Sequence, residues 1–439
     1  MKHHIIIYGC QMNHSDAERI DSLFLSLGSE KTAEAAEADI IVAVMCSVRQ
    51  MAADRVFGLQ QKFDQIKKNQ PDFISVLTGC VVENDKEKFR KIFDWILDIK
   101  DLQKWPKILG LASRTEKDGD YFHILPQTSS KYSINVPISK GCDNYCTYCV
   151  VPYTRGRLES RPTADVVKEC ERAVKNGAKE IWLLGQNVNN YHWQDTDFAT
   201  LLRAVNAIPG DFWIRFTSPH PKDFDAAAVI SMAQCEKVTP YLNLPIQSGD
   251  NAILKAMGRP YTAARYRTLV KNIRQAFKKY RHGLEKEVSI STDIIVGFPG
   301  ETKTQFLNSA KIFKAIKYEM AYIAQYSKRA GTAAAKLDDN IAPLEKKRRE
   351  EAINDILKKT ALAHNKKFIG KTVEVLVDSI KTEPSKWGPK LLALGKSRHY
   401  KTVKFTTNGR IIELGDIVKV KIFKAQSFGL VGTLNQNEK

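Results

Sequence analysis

Short apolar runs alternate with amphipathic stretches from the start of the chain. "HIIIYGC" (4–10) reads as a strand, and a helix opens after it near Ser15. "ADIIVAVMCS" (38–47) reads as a second strand, followed by a helix through "DRVFGLQQKFDQIKK" (54–68). "FISVLTGC" (73–80) reads as a third, with "ENDKEKFRKIF" (83–93) helical after it. This βαβαβ order predicts a parallel, doubly wound sheet. The polar stretch from Ser113 to Ser133 reads as a linker.

The alternation then repeats at greater length. Strands are predicted at "INVPISKG", "EIWLLGQNVN", "FWIRFTSP", "YLNLPIQSG", "VSISTDIIVGFPG" and "YIAQYSKR", with helical segments between them. Six βα units point to a partial (β/α)6 barrel. From Leu344 the chain becomes a charged helical run. From Phe368 the period shortens to two: "KTVEVLVDS", "LLALGK", "KTVKFTTNGR" and "DIVKVKIFKA" predict a small β-barrel, with Asn408-Gly409 as a hairpin turn. Lys396, Arg398, Lys401, Lys404, Arg410, Lys419, Lys421 and Lys424 are expected on its outer surface. The fold class is therefore α/β: an N-terminal doubly wound domain over 1–115, a central barrel over 128–366 and a terminal β-barrel over 367–435.

Composition narrows the partners. The 439 residues are too many for one ordinary core. No apolar run approaches the ~20 residues of a membrane span, and the start has no signal-peptide layout. A cytoplasmic protein is expected. Formal net charge is +19, which suits a polyanion such as RNA. Eight cysteines in such a chain suggest metal binding or catalysis before disulfides. Cys170 and Cys235 sit among apolar residues at helical spacing and are expected to be buried and inert.

Cys142, Cys146 and Cys149 follow the first barrel strand, the edge where barrel enzymes place their chemistry. Their C-x3-C-x2-C spacing has no fourth ligand nearby, unlike a closed zinc site or a bacterial ferredoxin. Three thiolates on a four-iron cluster would leave one iron open to a substrate or cofactor. A zinc loop with a distant fourth ligand is the alternative. Cys10, Cys46 and Cys80 each close a predicted parallel strand, so they are expected to converge on one crevice.

C-x3-C-x2-C after a first barrel strand resembles the radical S-adenosylmethionine superfamily. Two three-cysteine sets resemble its methylthiotransferase family, and the likeness extends over nearly the whole chain. "GCQMNHSDAERI", "CSVRQMAADRV", Gly79-Cys80, "CTYCVVPYTRGRLESRP", "LLGQNVNNY", "LPIQSGDNAILKAMGRPYT" and "DIIVGFPGET" are similar to its motifs. The last domain is similar to its RNA-binding TRAM domain. Departures lie near the second and third cysteines, where Val44-Met45 and Val82-Glu83 stand in place of the usual residues.

The resemblance implies two 4Fe-4S clusters, one on Cys142, Cys146 and Cys149 and an auxiliary one on Cys10, Cys46 and Cys80. It implies S-adenosylmethionine as cofactor, cleaved to a 5′-deoxyadenosyl radical, with no catalytic side chain beyond the cluster ligands. It places Tyr148 by the cofactor adenine, and by their position at strand ends Gly185, Gln186, Gln247, Ser248, Asp293 and Arg329 are expected in the cofactor pocket. Asn13, Arg155 and Arg157 are expected substrate contacts, with simple loop salt bridges the alternative for the arginines. Ser15 and Glu18 form S-x-x-E and are expected to cap the first helix; Asp16 suits the same helix end.

The implied reaction is methylthiolation at carbon 2 of isopentenylated adenosine beside the anticodon, on its 3′ side. That C–H bond is beyond a side-chain base of ordinary pKa, so radical abstraction fits. Partners would be a tRNA anticodon stem-loop, an external one-electron donor and a sulfur donor, with the protein a monomer. Alternatives are threonylcarbamoyladenosine, an aspartate of a ribosomal protein, or a non-catalytic RNA-binding protein with structural metal sites.

Overall fold

A computed structural model describes residues 1–47, 50–111, 121–128, 130–383, 390–407 and 409–435. These residues form two compact units that do not follow chain order. One holds 1–130, 135–161 and 327–336; the other holds 131–134, 162–326 and 337–439. Among the described residues no helix is long and apolar enough to cross a membrane.

The first unit is built on a five-stranded sheet. Strand β1 is Lys2–Tyr8, β2 Glu30–Lys31, β3 Ile40–Cys46, β4 Ile74–Cys80 and β5 Trp95–Ile96. They lie in the order β2-β1-β3-β4-β5, with all pairs parallel. The three predicted strands are present, and two two-residue edge strands, too short to leave a pattern, flank them. All seven residues of β3 are buried, as a central parallel strand covered on both faces requires. Ile41, Ala43 and Met45 pack with Phe63, Leu77 and Phe89. Ile40, Val42 and Val44 pack on the opposite face with Ile20, Phe24 and Trp105.

Three local expectations change. The first helix, α1, spans Gln11–Ser26 and its N-cap is Cys10. Asn13 takes the capping-box role, accepting from Cys10 N at 3.2 Å. Ser15 and Glu18 are therefore buried within the helix, and Ser15 Oγ accepts from Arg19 Nη1 at 2.8 Å. The single helix expected over 54–68 is two, Gln50–Phe57 and Gln60–Asn69, broken beside Gly58, a residue poor at sustaining a helix. Of the expected linker, 113–120 and 129 lie outside the described residues, but Tyr121 and Phe122 are buried. Lys140 and Arg161 sit over the Phe122 ring at 5.4 and 5.1 Å. That segment is docked, not a free tether.

The six barrel strands are present: Ser133–Pro137, Glu180–Leu184, Trp213–Phe216, Tyr241–Asn243, Ser289–Val296 and Met320–Gln325. They fall into two three-stranded sheets in consecutive order. Between the third and fourth strands Val238 still bridges Ile214. Pro240 follows, and with no N–H it cannot extend the ladder. Arg329, expected to end the sixth strand, lies four residues beyond it in the 327–336 segment of the first unit.

Within the second unit the terminal domain is a closed five-stranded barrel. Its fifth strand, Gly429–Leu434, pairs in parallel with Thr402–Thr406 and completes the closure. Two glycines weaken its sequence signal. Asn408 of the expected hairpin lies outside the described residues. Lys404, Arg410, Lys419, Lys421 and Lys424 are exposed as expected, but Lys401 is buried. Lys401 pairs with Glu319, and Arg398 with Glu285. These cations face the half-barrel of their own unit, where buried Glu319 and half-buried Glu285 accept them. Cys170 and Cys235 are both buried, as expected.

Candidate functional site

Parallel pairing assembles the first thiol set. Cys46 and Cys80 end adjacent strands and are register partners. Cys10 caps α1, two residues after β1. The strand order reverses between β1 and β3, so Cys10 and Cys46 flank the crevice where such sheets bind ligands. Gly79 makes the approach possible: at φ +98° it has no room for a Cβ, which would meet Met45 O at 2.3 Å. Asn13 is fully buried and ties the same turn down, accepting from Cys10 Sγ at 3.3 Å and donating to Met45 O at 3.2 Å.

The three thiols are close enough to share hydrogen bonds. Cys46 shares one with each neighbour, and these bonds push its own pKa up. They pull Cys10 down to about 7 and Cys80 down to about 6, with the Arg155 charge adding to both shifts. Two members of the set thus lean toward the thiolate that an iron ligand must be.

The second set is local. Gly141, at φ +75°, lies against the backbone of 156–157, and a Cβ there would meet Arg157 O at 1.9 Å. Cys142 N donates to Gly156 O at 3.1 Å, and Cys149 N to Cys146 O at 2.9 Å, which closes the loop around the three cysteines. Cys142 and Cys146 are buried and Cys149 is half-buried. Burial pushes the Cys142 thiol up. Asn144 Nδ2 donates to its sulfur at 3.5 Å. Tyr148 is half-buried in this loop.

The donor sets fit iron–sulfur clusters. Each offers three thiols, and buried polar atoms beside the first set lack hydrogen-bond partners among the described residues: Ser47 Oγ, Asp16 Oδ1 and Arg155 Nη1. Buried polar groups left in this state call for something to fill the gap. No group of three or more His, Cys, Asp or Glu among the described residues is set to hold a single metal ion. A cluster with one thiolate on each of several irons does not require that geometry.

The other expected site residues divide between the units. Arg155 is buried, donating to Asp16 and to Cys80, so its guanidinium has no solvent face. Arg157 is exposed, 3.7 Å from Asp143. Arg329 is half-buried near Asp85, Cys46 and Asp54, and burial lowers its pKa. In the second unit Gly185 and Gln186 follow the second barrel strand directly. Gln247, at φ +69°, continues the fourth strand by an isolated bridge to Ile294, accepting from Ile295 N and donating to Asp293 O. Ser248 is fully buried beside Ser309 Oγ at 3.5 Å.

Three further features had no clear sequence signal. Asp16 reads as a helix-end acid, yet it anchors Arg155 at 2.5 Å. Tyr145 and Tyr153, in and after the cysteine loop, are 48% and 59% exposed and stack edge to face at 6.1 Å. Their position within the loop motif was the only hint. His220, just beyond the third barrel strand, is buried; burial and the nearby cations Arg259 and Lys222 press its pKa down to about 2. Nδ1 accepts from Lys222 N at 3.2 Å, so the proton sits on Nε2, which has no hydrogen-bond partner among the described residues.

Comparison with known proteins agrees with this architecture. Residues 136–313 match the Radical SAM superfamily, and residues 2–98 match "Uncharacterized protein family UPF0004". Similar solved structures include the radical S-adenosylmethionine methyltransferase TsrM from Kitasatospora setae, with TM-score 0.57 and 12% identity, covering 76% of this chain and 74% of that one. The cobalamin-dependent radical enzyme OxsB aligns with TM-score 0.54 and 11% identity, over 82% of this chain and 56% of that one. At such identity these share the fold alone. Relatives named tRNA-2-methylthio-N(6)-dimethylallyladenosine synthase are far more similar. The protein from Alkaliphilus oremlandii is 36% identical over 99% of this chain and 93% of its own length. That from Clostridium novyi is 38% identical over 98% and 96%, and that from Bacillus subtilis 36% over 99% and 86%. With identity at this level along nearly its whole length, the chain belongs to the radical S-adenosylmethionine methylthiotransferase family.

Proposed function

We propose that the enzyme adds a methylthio group to carbon 2 of N6-isopentenyladenosine beside the anticodon of tRNA. The observation that carries this reading is the pair of three-cysteine sets, one on the loop and one at the sheet edge, in a chain that matches the named synthases along its length. Cys142, Cys146 and Cys149 would hold one 4Fe-4S cluster, and Cys10, Cys46 and Cys80 the auxiliary one. When bound, these clusters and S-adenosylmethionine supply the electron, the radical and the sulfur chemistry.

The chain's own residues bind and orient. Gly141 and the Cys146–Cys149 turn hold the loop thiols in place, while Gly79 and Asn13 do so at the sheet edge. Tyr148, Gly185, Gln186, Gln247, Ser248 and Asp293 would each contact S-adenosylmethionine. Arg329 joins them less readily, since its neighbours are Asp85 and Cys46. Exposed Arg157 would meet a phosphate, and the exposed rings of Tyr145 and Tyr153 suit stacking on an unpaired base. The terminal barrel's exposed lysines would bind the tRNA stem. The functional modules are 1–115, 128–366 and 367–435, in a cytoplasmic monomer served by an external one-electron donor and a sulfur donor.

Nucleoside mass spectrometry tests the reading. Protein reconstituted with iron and sulfide without oxygen is given reductant, S-adenosylmethionine and tRNA carrying isopentenyladenosine. A methylthio mass gain on that nucleoside is expected. Cofactor cleavage without the gain would move the substrate to threonylcarbamoyladenosine or a ribosomal protein. Absence of both the mass gain and cofactor cleavage, in protein verified to hold both clusters, would overturn the enzyme reading.

A further inference from the structure

Arg155 sits in neither cysteine set, yet it joins them. It is the last residue of the short helix Val151–Arg155 that follows Cys149. Its side chain is only 2% exposed. Nε donates to Cys80 Sγ at 3.1 Å, across 75 residues of chain. Nη2 donates to Asp16 Oδ2 at 2.5 Å, across 139 residues. Nη1 is buried with no hydrogen-bond partner among the described residues, as are Asp16 Oδ1 and Ser47 Oγ, the latter next in sequence to Cys46.

A guanidinium presents donors in a fixed fork, so it can hold a carboxylate on one edge and a sulfur on another. Asp16 fixes the fork from α1, and the loop helix supplies it. The result is a positive charge and an N–H aimed at one sulfur of the sheet-edge set. Hydrogen bonds to cluster sulfurs and nearby charge are the main protein levers on a cluster's potential. Both favour the more negative, reduced state.

We infer that Arg155 is a positioning residue for the auxiliary cluster: its Nε–H bond to Cys80 Sγ, held by Asp16, raises that cluster's reduction potential and ties it to the loop that carries the other three cysteines. This rests on the proposed ligation by Cys10, Cys46 and Cys80. Substitution of Cys80 would remove the acceptor; substitution of Arg155 removes only the donor.

The test uses the full chain with Cys142, Cys146 and Cys149 replaced by Ala, so that only the auxiliary cluster remains. Redox titration followed by electron paramagnetic resonance gives its potential with Arg155 intact, with Arg155→Met and with Arg155→Lys. At equal iron and sulfide content, Arg155→Met is expected to be more negative, by about tenfold in the one-electron equilibrium or ~59 mV. Arg155→Lys, which keeps charge but loses the fork, should fall between. A potential unchanged in Arg155→Met with the cluster intact would overturn the inference. If Arg155→Met cannot hold the cluster, Arg155→Lys decides: a more negative potential supports the inference, and an unchanged one overturns it. No cluster in the Arg155 parent would overturn the ligand assignment itself, and the inference with it.

Discussion

The two three-cysteine sets solve one problem in opposite ways. The loop set lies within eight residues and depends on Gly141 and a backbone turn. The sheet-edge set spans more than seventy residues and depends on the register of β3 with β4. A one-residue slip there would send Cys80 to the opposite face of the sheet. The chemistry differs as well. The sheet-edge thiols share hydrogen bonds and feel Arg155, which lowers two of their pKa values. Burial raises the Cys142 pKa. A local site can be made by spacing alone, whereas a distributed one inherits its electrostatics from whatever the fold brings beside it.

The sharpest way to break this comparison is to remove each set. Replacing Cys142, Cys146 and Cys149 by Ala should reduce S-adenosylmethionine cleavage to background. Replacing Cys10, Cys46 and Cys80 should leave cleavage within a few-fold, roughly, but abolish methylthio transfer, because under the proposed ligation the radical step needs only the loop set. Product analysis by chromatography reads both. Cleavage that persists without the loop cysteines would show that the sets have been assigned the wrong way round.

A change remote from both sets provides the control. Glu319 is buried and paired with Lys401 in the second unit. Burial alone would raise its pKa, but Lys401, His364 and Ser289 outweigh that and hold it below the ordinary carboxylate range. The pair's stabilisation is therefore full above the unfolded carboxyl pKa and is lost as pH falls through the depressed folded value. Glu319→Gln leaves Lys401 buried without its partner and should cost about 3–5 kcal/mol near neutral pH. Thermal unfolding across pH should show a shallower acid limb than in the parent, while iron bound per folded chain stays the same.

The glycines sharpen the comparison at finer grain. Gly79→Ala and Gly141→Ala each force a Cβ against backbone oxygen at positive φ, a strain of about 1–3 kcal/mol. Each should lower iron by about half by emptying one set, provided each set holds its own cluster. Cleavage should fall for Gly141→Ala and survive for Gly79→Ala. Equal loss in both would mean the sets are not independent.

The smallest effects belong to the exposed loop surface. Tyr153→Ala should weaken tRNA binding by about 1–3 kcal/mol if the ring stacks on a base. Arg157→Ala removes an exposed pair at 3.7 Å, worth about 0–1 kcal/mol to stability. Its larger signature would be a shallower salt dependence of tRNA binding.

The sequence by itself determined the long strands, though not the edge strands β2 and β5 or Gly429–Leu434, together with the six-unit half-barrel, the shift to period two after Phe368 and the positions of all eight cysteines. These follow from periodicity and spacing, which act over a few residues and leave a pattern in the chain. It also implied that Cys10, Cys46 and Cys80 converge, because parallel strand ends share an edge. Only the tertiary structure decided that Cys10 and Asn13 cap α1, that Lys401 is buried on Glu319, and that Arg155 turns inward to Asp16 and Cys80. Burying a charge is tolerated only against a matched partner, and for Arg155 that partner lies 139 residues away. No local pattern records such a pairing, because it exists only once the sheet, the helix and the loop are packed together.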